Sequence, residues 1–111
     1  MKKTAVIDVV GLSESVISAE YTPFLYAYIQ KKRFQKIKPP FPAVTTTSQS
    51  VYVTGKNPSE HGIVGNGWYD AVDSEVKFWK QSNKLVGDEK IWDAAKRKDP
   101  NFTCANLFWW Y

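Results

Sequence analysis

Thr45, Thr46, Thr47, Ser48 and Ser50 crowd one short stretch of this chain, directly after Pro39, Pro40 and Pro42. The prolines read as a strand exit and a bend, and the hydroxyl run reads as the opening of a short helix. A helix N-terminus presents unpaired N–H groups and a partial positive charge, a setting that suits an oxyanion such as phosphate. A hydroxyl at that point is placed to attack phosphorus if something activates it. The same residues also serve as ordinary N-cap residues with no chemistry at all. The segment 40–70 that contains them also holds the chain's only histidine, His61, and four of its six glycines.

The spacing within that segment is specific. Thr45 lies nine residues before Thr54 of a Thr54-Gly55 pair; Pro58, His61, Gly62 and Ile63 follow as P-x-x-H-G-I, and then Gly65-Asn66, with Asn66 twenty-one residues after Thr45. This register resembles the alkaline phosphatase superfamily, in its nucleotide pyrophosphatase/phosphodiesterase branch, and the resemblance runs through the whole chain. It implies that Thr45 is a nucleophile forming a phospho-threonine intermediate. It implies that Asn66 donates its side-chain amide to a phosphoryl oxygen, which compensates developing charge. Asn66 is polar and flanked by glycines, so its removal is expected to leave folding intact.

The resemblance further implies two divalent metal ions, usually zinc, which brace the phosphoryl oxygens and lower the pKa of the Thr45 hydroxyl. Thr45 would be one metal contact, and most other ligands would lie beyond residue 111. The one early ligand of the family is an Asp directly before Gly at the end of the first strand; here that position is Val10, before Gly11. Asp8 lies two residues earlier on the same side of the strand, and replaces the missing ligand only if the strand end is displaced by about 7 Å. His61 belongs to the P-x-x-H-G turn and is expected to be structural. Nucleotide-hydrolysing relatives carry an aromatic after the nucleophile, where this chain has Thr46. Trp68 and Tyr69 offer an alternative aromatic wall, or else core packing. The substrate implied is a small phosphate ester, with a nucleotide as one candidate.

With 111 residues the chain is expected to form one domain or part of one, spanning 1–111. Fifteen basic and eleven acidic residues give a net charge of +4. The clusters Lys31-Lys32-Arg33 and Lys96-Arg97-Lys98 are expected at helix C-termini, where they complement the helix dipole. One cysteine, Cys104, rules out an internal disulfide and reads as a buried strand residue. No stretch approaches the ~20 apolar residues of a membrane span, and the N-terminal apolar run is interrupted by Asp8, unlike a signal peptide. A cytoplasmic location is the expectation.

The elements that must carry the hydroxyl segment follow from pattern. TAVIDVV (4–10) and FTCANLF (102–108) read as strands buried on both faces, and residues 34–38 as a shorter strand. Thr22-Pro23 opens a helix to about Arg33 that buries Phe24, Leu25, Tyr28 and Ile29. Residues 46–53 form the nucleophile helix, closed by Gly55. Residues 66–70 and 75–79 make an irregular hairpin, and IWDAAKRK a helix ending before Pro100. The order indicates an α/β fold with a mostly parallel sheet flanked by helices, incomplete in this chain. The aromatic end Trp109-Trp110-Tyr111 is expected to be uncovered, so that the chain reads as the N-terminal portion of a single alkaline-phosphatase-like catalytic domain. It would self-associate or pack beside the remainder of a parent chain. Two other readings stay open: a non-catalytic anion-binding module, and an interaction fragment.

Overall fold

A computed structural model describes residues 3–110. They fall into two compact units, Met1–Lys38 and Pro39–Tyr111. The hydroxyl segment and the hairpin belong to the second.

In the first unit, Pro23–Gln30 forms helix α1. Pro23 suits the first helical position because its missing N–H would have been unpaired there. Thr22 does not cap the helix through its side chain. Its hydroxyl instead accepts the Ser18 N–H at 3.1 Å, which ties the incoming turn to the helix start. The helix stops at Gln30, three residues short of the expected end. Lys31 and Lys32 donate their N–H groups back to Tyr28 and Ile29, a tightened last turn, so the Lys31-Lys32-Arg33 cluster sits just past the helix. None of the four residues expected to be buried is so: Leu25 and Ile29 are half-buried, and Phe24 is 92% exposed.

The second unit is built around helix α2, Thr45–Thr54. Its sequence, TTTSQSVYVT, is rich in β-branched and hydroxyl residues that are indifferent helix formers. Two of the hydroxyls are satisfied within the helix: Ser50 Oγ donates to the Thr46 carbonyl at 2.8 Å and Thr54 Oγ1 to the Ser50 carbonyl at 2.6 Å. Gly55 ends the helix at φ 68°, a left-handed position glycine adopts without strain. A single turn, α3 (Pro58–His61), packs on α2, and Glu60 reaches back to accept the Asn57 N–H at 3.0 Å. The buried residues of the unit are Thr46, Thr47, Gln49, Ser50, Val53, His61, Ile63, Val86 and Lys90. Lys90 Nζ is satisfied by the carbonyls of Asn83 and Val86, at 3.1 and 3.3 Å. Helix α4, Ile91–Lys98, carries Asp93 in its first turn and Lys96, Arg97 and Lys98 in its last, each sign facing the dipole end it complements.

Strands β1 (Gly67–Asp70) and β2 (Glu75–Phe78) pair antiparallel, with Gly67 opposite Phe78 and Asp70 opposite Glu75. The Asp70 carboxylate accepts the Val72 and Asp73 N–H groups at 2.9 and 3.1 Å, closing the turn, and its other oxygen bonds Lys77 Nζ at 2.6 Å. The bond to Lys77 and the backbone donors hold the Asp70 carboxyl below the usual carboxylate range, while Asp70 and Asp73 push the Lys77 ammonium above its own. One further bond, from Trp79 N to Asn66 O at 2.9 Å, extends the ladder past β1 to the residue before it.

The mostly parallel sheet expected from the apolar runs is not formed: this hairpin is the only sheet among the described residues. Residues 4–10, 34–38 and 102–108 form no strand, Val10 lying in a turn and Phe108 in a bend at φ 60°, and all but the half-buried Phe102 are exposed, Ile7 by 79%. An apolar strand acquires its form from hydrogen-bonded neighbours, and no described residues pair with these runs. Cys104, expected in a buried strand, is exposed for the same reason. The aromatic end differs from expectation in the opposite direction. Trp109 and Trp110 are half-buried. Trp110 donates its backbone N–H to Gln49 Oε1 at 2.8 Å and its indole N–H to the Lys80 carbonyl at 3.0 Å. Its ring packs edge-on against Trp79 with centroids 4.9 Å apart. Tyr111 lies outside the described residues.

Gly67 sits where the hairpin leaves no room for a side chain. A Cβ there would overlap the Phe78 ring and come within 3.2 Å of the Lys77 carbonyl oxygen. Gly67→Ala is therefore expected to lower stability by about 1–3 kcal/mol, the usual cost of overpacking. Urea denaturation measures it, and an unchanged midpoint would mean the hairpin yields freely.

Candidate functional site

Helix α2 begins without a cap of its own. Val44, the N-cap residue, is extended (φ −116°, ψ 163°) and has no polar side chain to offer the first-turn N–H groups. The acceptor comes from Asn66, twenty residues beyond Thr46. Asn66 Oδ1 accepts the Thr46 backbone N–H at 3.1 Å and lies 3.0 Å from Thr46 Oγ1. Thr46 Oγ1 also donates to the Gly65 carbonyl at 2.7 Å. Thr46 is fully buried, so this pair of residues is sealed on the Thr46 side. With Oδ1 bonded to Thr46, the planar Asn66 amide keeps its Nδ2 donors out of those bonds.

Thr45, the residue before Thr46, occupies the first position of α2 and is half-buried. The helix start thus combines a nucleophile-type hydroxyl, the positive end of the helix dipole and, next to it, an amide whose free end is a donor. Asp8 is exposed and lies outside any helix or strand, in the first unit. Among the described residues no group of three or more His, Cys, Asp or Glu stands together to hold a metal ion, so the ligand set that two divalent ions require is not assembled by them.

Thr46, which sequence alone treats only as the residue lacking an aromatic, is the side chain that sequence reasoning missed. Its burial also bars it from contacting a substrate base. Trp68 and Tyr69 are neighbours on a strand and so point to opposite faces; Trp68 is half-buried and Tyr69 is 64% exposed, so the two do not form one wall. Asn66 is more than an isolated turn residue. Removing it takes away the side-chain acceptor that the Thr46 N–H uses at the start of α2, at a cost of about 1 kcal/mol typical of a lost N-cap.

His61 closes the loop that carries the chain from α3 to Asn66. It is fully buried; its Nδ1 accepts the Ile63 N–H at 3.0 Å, and its carbonyl accepts the Gly87 N–H at 2.9 Å. With Nδ1 an acceptor, the ring proton resides on Nε2, which is buried without a hydrogen-bond partner among the described residues. Burial pushes its pKa below the ordinary value of 6.5.

The arrangement is a half-buried hydroxyl at a helix start with an asparagine side chain seated against the same turn. The chain belongs to the type I phosphodiesterase/nucleotide pyrophosphatase family, whose model matches residues 4–111. It is 35% identical over 97 residues to ectonucleotide pyrophosphatase/phosphodiesterase 2 of Saccharomyces cerevisiae. The match covers 80% of this chain and 19% of that protein, so the chain spans about a fifth of its relative's length. No solved structure matches. Members of the family are generally metal-dependent.

Because the folded state holds His61 neutral below its ordinary pKa, the unfolded chain binds the extra proton first on acidification. Stability is fully present above about pH 6.5 and falls as pH drops from there towards the folded-state pKa. As the only histidine, its ring signals are unambiguous in an NMR titration, which is expected to give a midpoint below 6.5 together with weaker resistance to urea at pH 5.5 than at 7.5. A midpoint at or above 6.5 would refute this.

Proposed function

We propose that this protein acts as a phosphodiesterase or nucleotide-pyrophosphatase-type hydrolase, with Thr45 as nucleophile and Asn66 as donor to the phosphoryl group. One observation carries the reading: Asn66 Oδ1 bonds the Thr46 N–H and hydroxyl, which seats Asn66 against the first turn of α2, the turn that Thr45 opens, and leaves Nδ2 outside those bonds. In the proposed reaction the Thr45 oxygen bonds to phosphorus as the bond to the leaving-group oxygen breaks, and the hydroxyl proton ends on the departing alcohol. Water then releases the phosphoryl group from the threonine. Asn66 Nδ2 and the α2 N-terminus offset the charge that develops on the non-bridging oxygens. Two divalent ions, zinc in the resemblance, belong to the proposal with ligands beyond residue 111, as do the remainder of a longer parent chain and self-association through the exposed apolar runs. The substrate is a phosphate ester, and a nucleotide is the candidate suggested by the family description. The anion-binding reading without catalysis keeps the same residues and loses only the attack; Val10, where the family has Asp, favours it.

Hydrolysis of bis-nitrophenyl phosphate by the metal-loaded parent protein separates the two; the 111 residues by themselves are expected to be inactive, since the described residues do not complete the ligand set. Thr45→Ala is expected to abolish turnover, a loss of several orders of magnitude, because the nucleophile itself is gone. Near-normal turnover in Thr45→Ala with loss in Thr47→Ala would place the nucleophile elsewhere, and a metal-loaded parent protein that binds phosphate without ever turning over the ester would establish the anion-binding reading. Asn66→Ala is expected to lower kcat by roughly 10²–10³, as removal of other oxyanion donors does. A reduced melting temperature with unchanged kcat would leave Asn66 as a helix cap only.

A further inference from the structure

We propose that Thr46 is a positioning residue: its buried backbone N–H and hydroxyl fix the Asn66 side chain in a single orientation, Oδ1 inward and Nδ2 outward. The inference rests on the reading of Asn66 as the phosphoryl donor and adds the device that aims it.

An asparagine amide is nearly symmetric in shape, and a half-turn about its last bond exchanges acceptor for donor. A donor role at a phosphoryl oxygen needs one of the two orientations. In water, or against a single hydroxyl, both would be populated, because a hydroxyl can donate or accept. The Thr46 backbone N–H sets the preferred sense, since it can only donate and meets Asn66 at 3.1 Å, but a single bond of this kind leaves the amide free to swing, and the hold is completed by the hydroxyl. The flipped amide would set two N–H donors against it. The hydroxyl reinforces the choice. Its hydrogen lies between two acceptors, the Gly65 carbonyl at 2.7 Å and Asn66 Oδ1 at 3.0 Å. Because Gly65 directly precedes Asn66, one hydroxyl holds both the side chain of Asn66 and the backbone that leads into it. On the other side, Trp79 N bonds the Asn66 carbonyl at 2.9 Å. Thr46 is fully buried, so water does not compete for these bonds. Serine can make the same bonds. Valine has the shape of threonine without the hydroxyl, and leaves the Gly65 carbonyl without its donor.

The side-chain amide of Asn66 reports the orientation directly in the ¹⁵N- and ¹³C-labelled chain. In the wild-type chain a coupling through the hydrogen bond from Thr46 N to Asn66 Cγ is expected. Its absence, with the Thr46 amide assigned, overturns the proposal without need of any variant. In Thr46→Val the order parameter of the Asn66 Nδ2 group is expected to fall below about 0.6, with Thr46→Ser keeping the wild-type value. Titration with inorganic phosphate is expected to shift the Nδ2 signals in wild type and Thr46→Ser, with about tenfold weaker binding in Thr46→Val. An equally ordered amide in Thr46→Val, or unchanged phosphate binding, overturns the proposal, and a parallel melting curve separates either result from unfolding. Loss of the catalytic reading is seen separately, in the turnover of Thr45→Ala, and does not alter these signals.

Discussion

The bond from the Thr46 N–H to Asn66 Oδ1 is the contact on which the second unit depends. A helix of threonines and serines that begins on a valine has little tendency to start where it does. Asn66 supplies the missing acceptor, and a circuit of contacts keeps Asn66 in place. Its carbonyl is held by Trp79 at the end of the hairpin; Trp79 packs on Trp110; and Trp110 returns to α2 through the Gln49 side chain. The path leaves α2 at Thr46 and rejoins it at Gln49, so the helix start and the hairpin constrain one another.

The interior this circuit encloses is unusually polar. Val53, Ile63 and Val86 are its buried apolar side chains, against Thr46, Thr47, Gln49, Ser50, His61 and Lys90. Apolar burial is indifferent to direction, whereas hydrogen bonds demand it. A core of this composition gains less from simple collapse and more from correct geometry. That favours a site whose donors must be aimed, and it makes the buried Thr47 hydroxyl and His61 Nε2, both without partners among the described residues, the costly places in the structure.

What was legible in the sequence was whatever short-range chemistry decides. Gly55 ends α2, Pro23 begins α1, Asp70 closes the hairpin turn, and the basic residues gather at the end of α4, all as their side chains dictate. The strands at 4–10 and 102–108 were not, because an apolar run states that burial is wanted and leaves open what supplies it. The spacing of Thr45 and Asn66 was readable as a register, but the bond between Thr46 and Asn66 was hidden among equivalent hydroxyls. The expected helix begins at residue 46 and can cap itself on Thr45; only the actual start, one residue earlier with its N-cap on Val44, leaves the first turn needing an acceptor that Asn66 lends.

The contact between Trp79 and Trp110 has an optical consequence. Two indoles 4.9 Å apart and inclined at 63° couple their electronic transitions, and coupled chromophores in a fixed chiral arrangement split their circular dichroism into a pair of bands of opposite sign. The chain's other tryptophans, Trp68, Trp92 and Trp109, form no such ring pair among the described residues. The split band therefore reads the seating of residue 110 against the hairpin. Since the same residue bonds Gln49, the protein carries a built-in gauge of whether the circuit around α2 is closed.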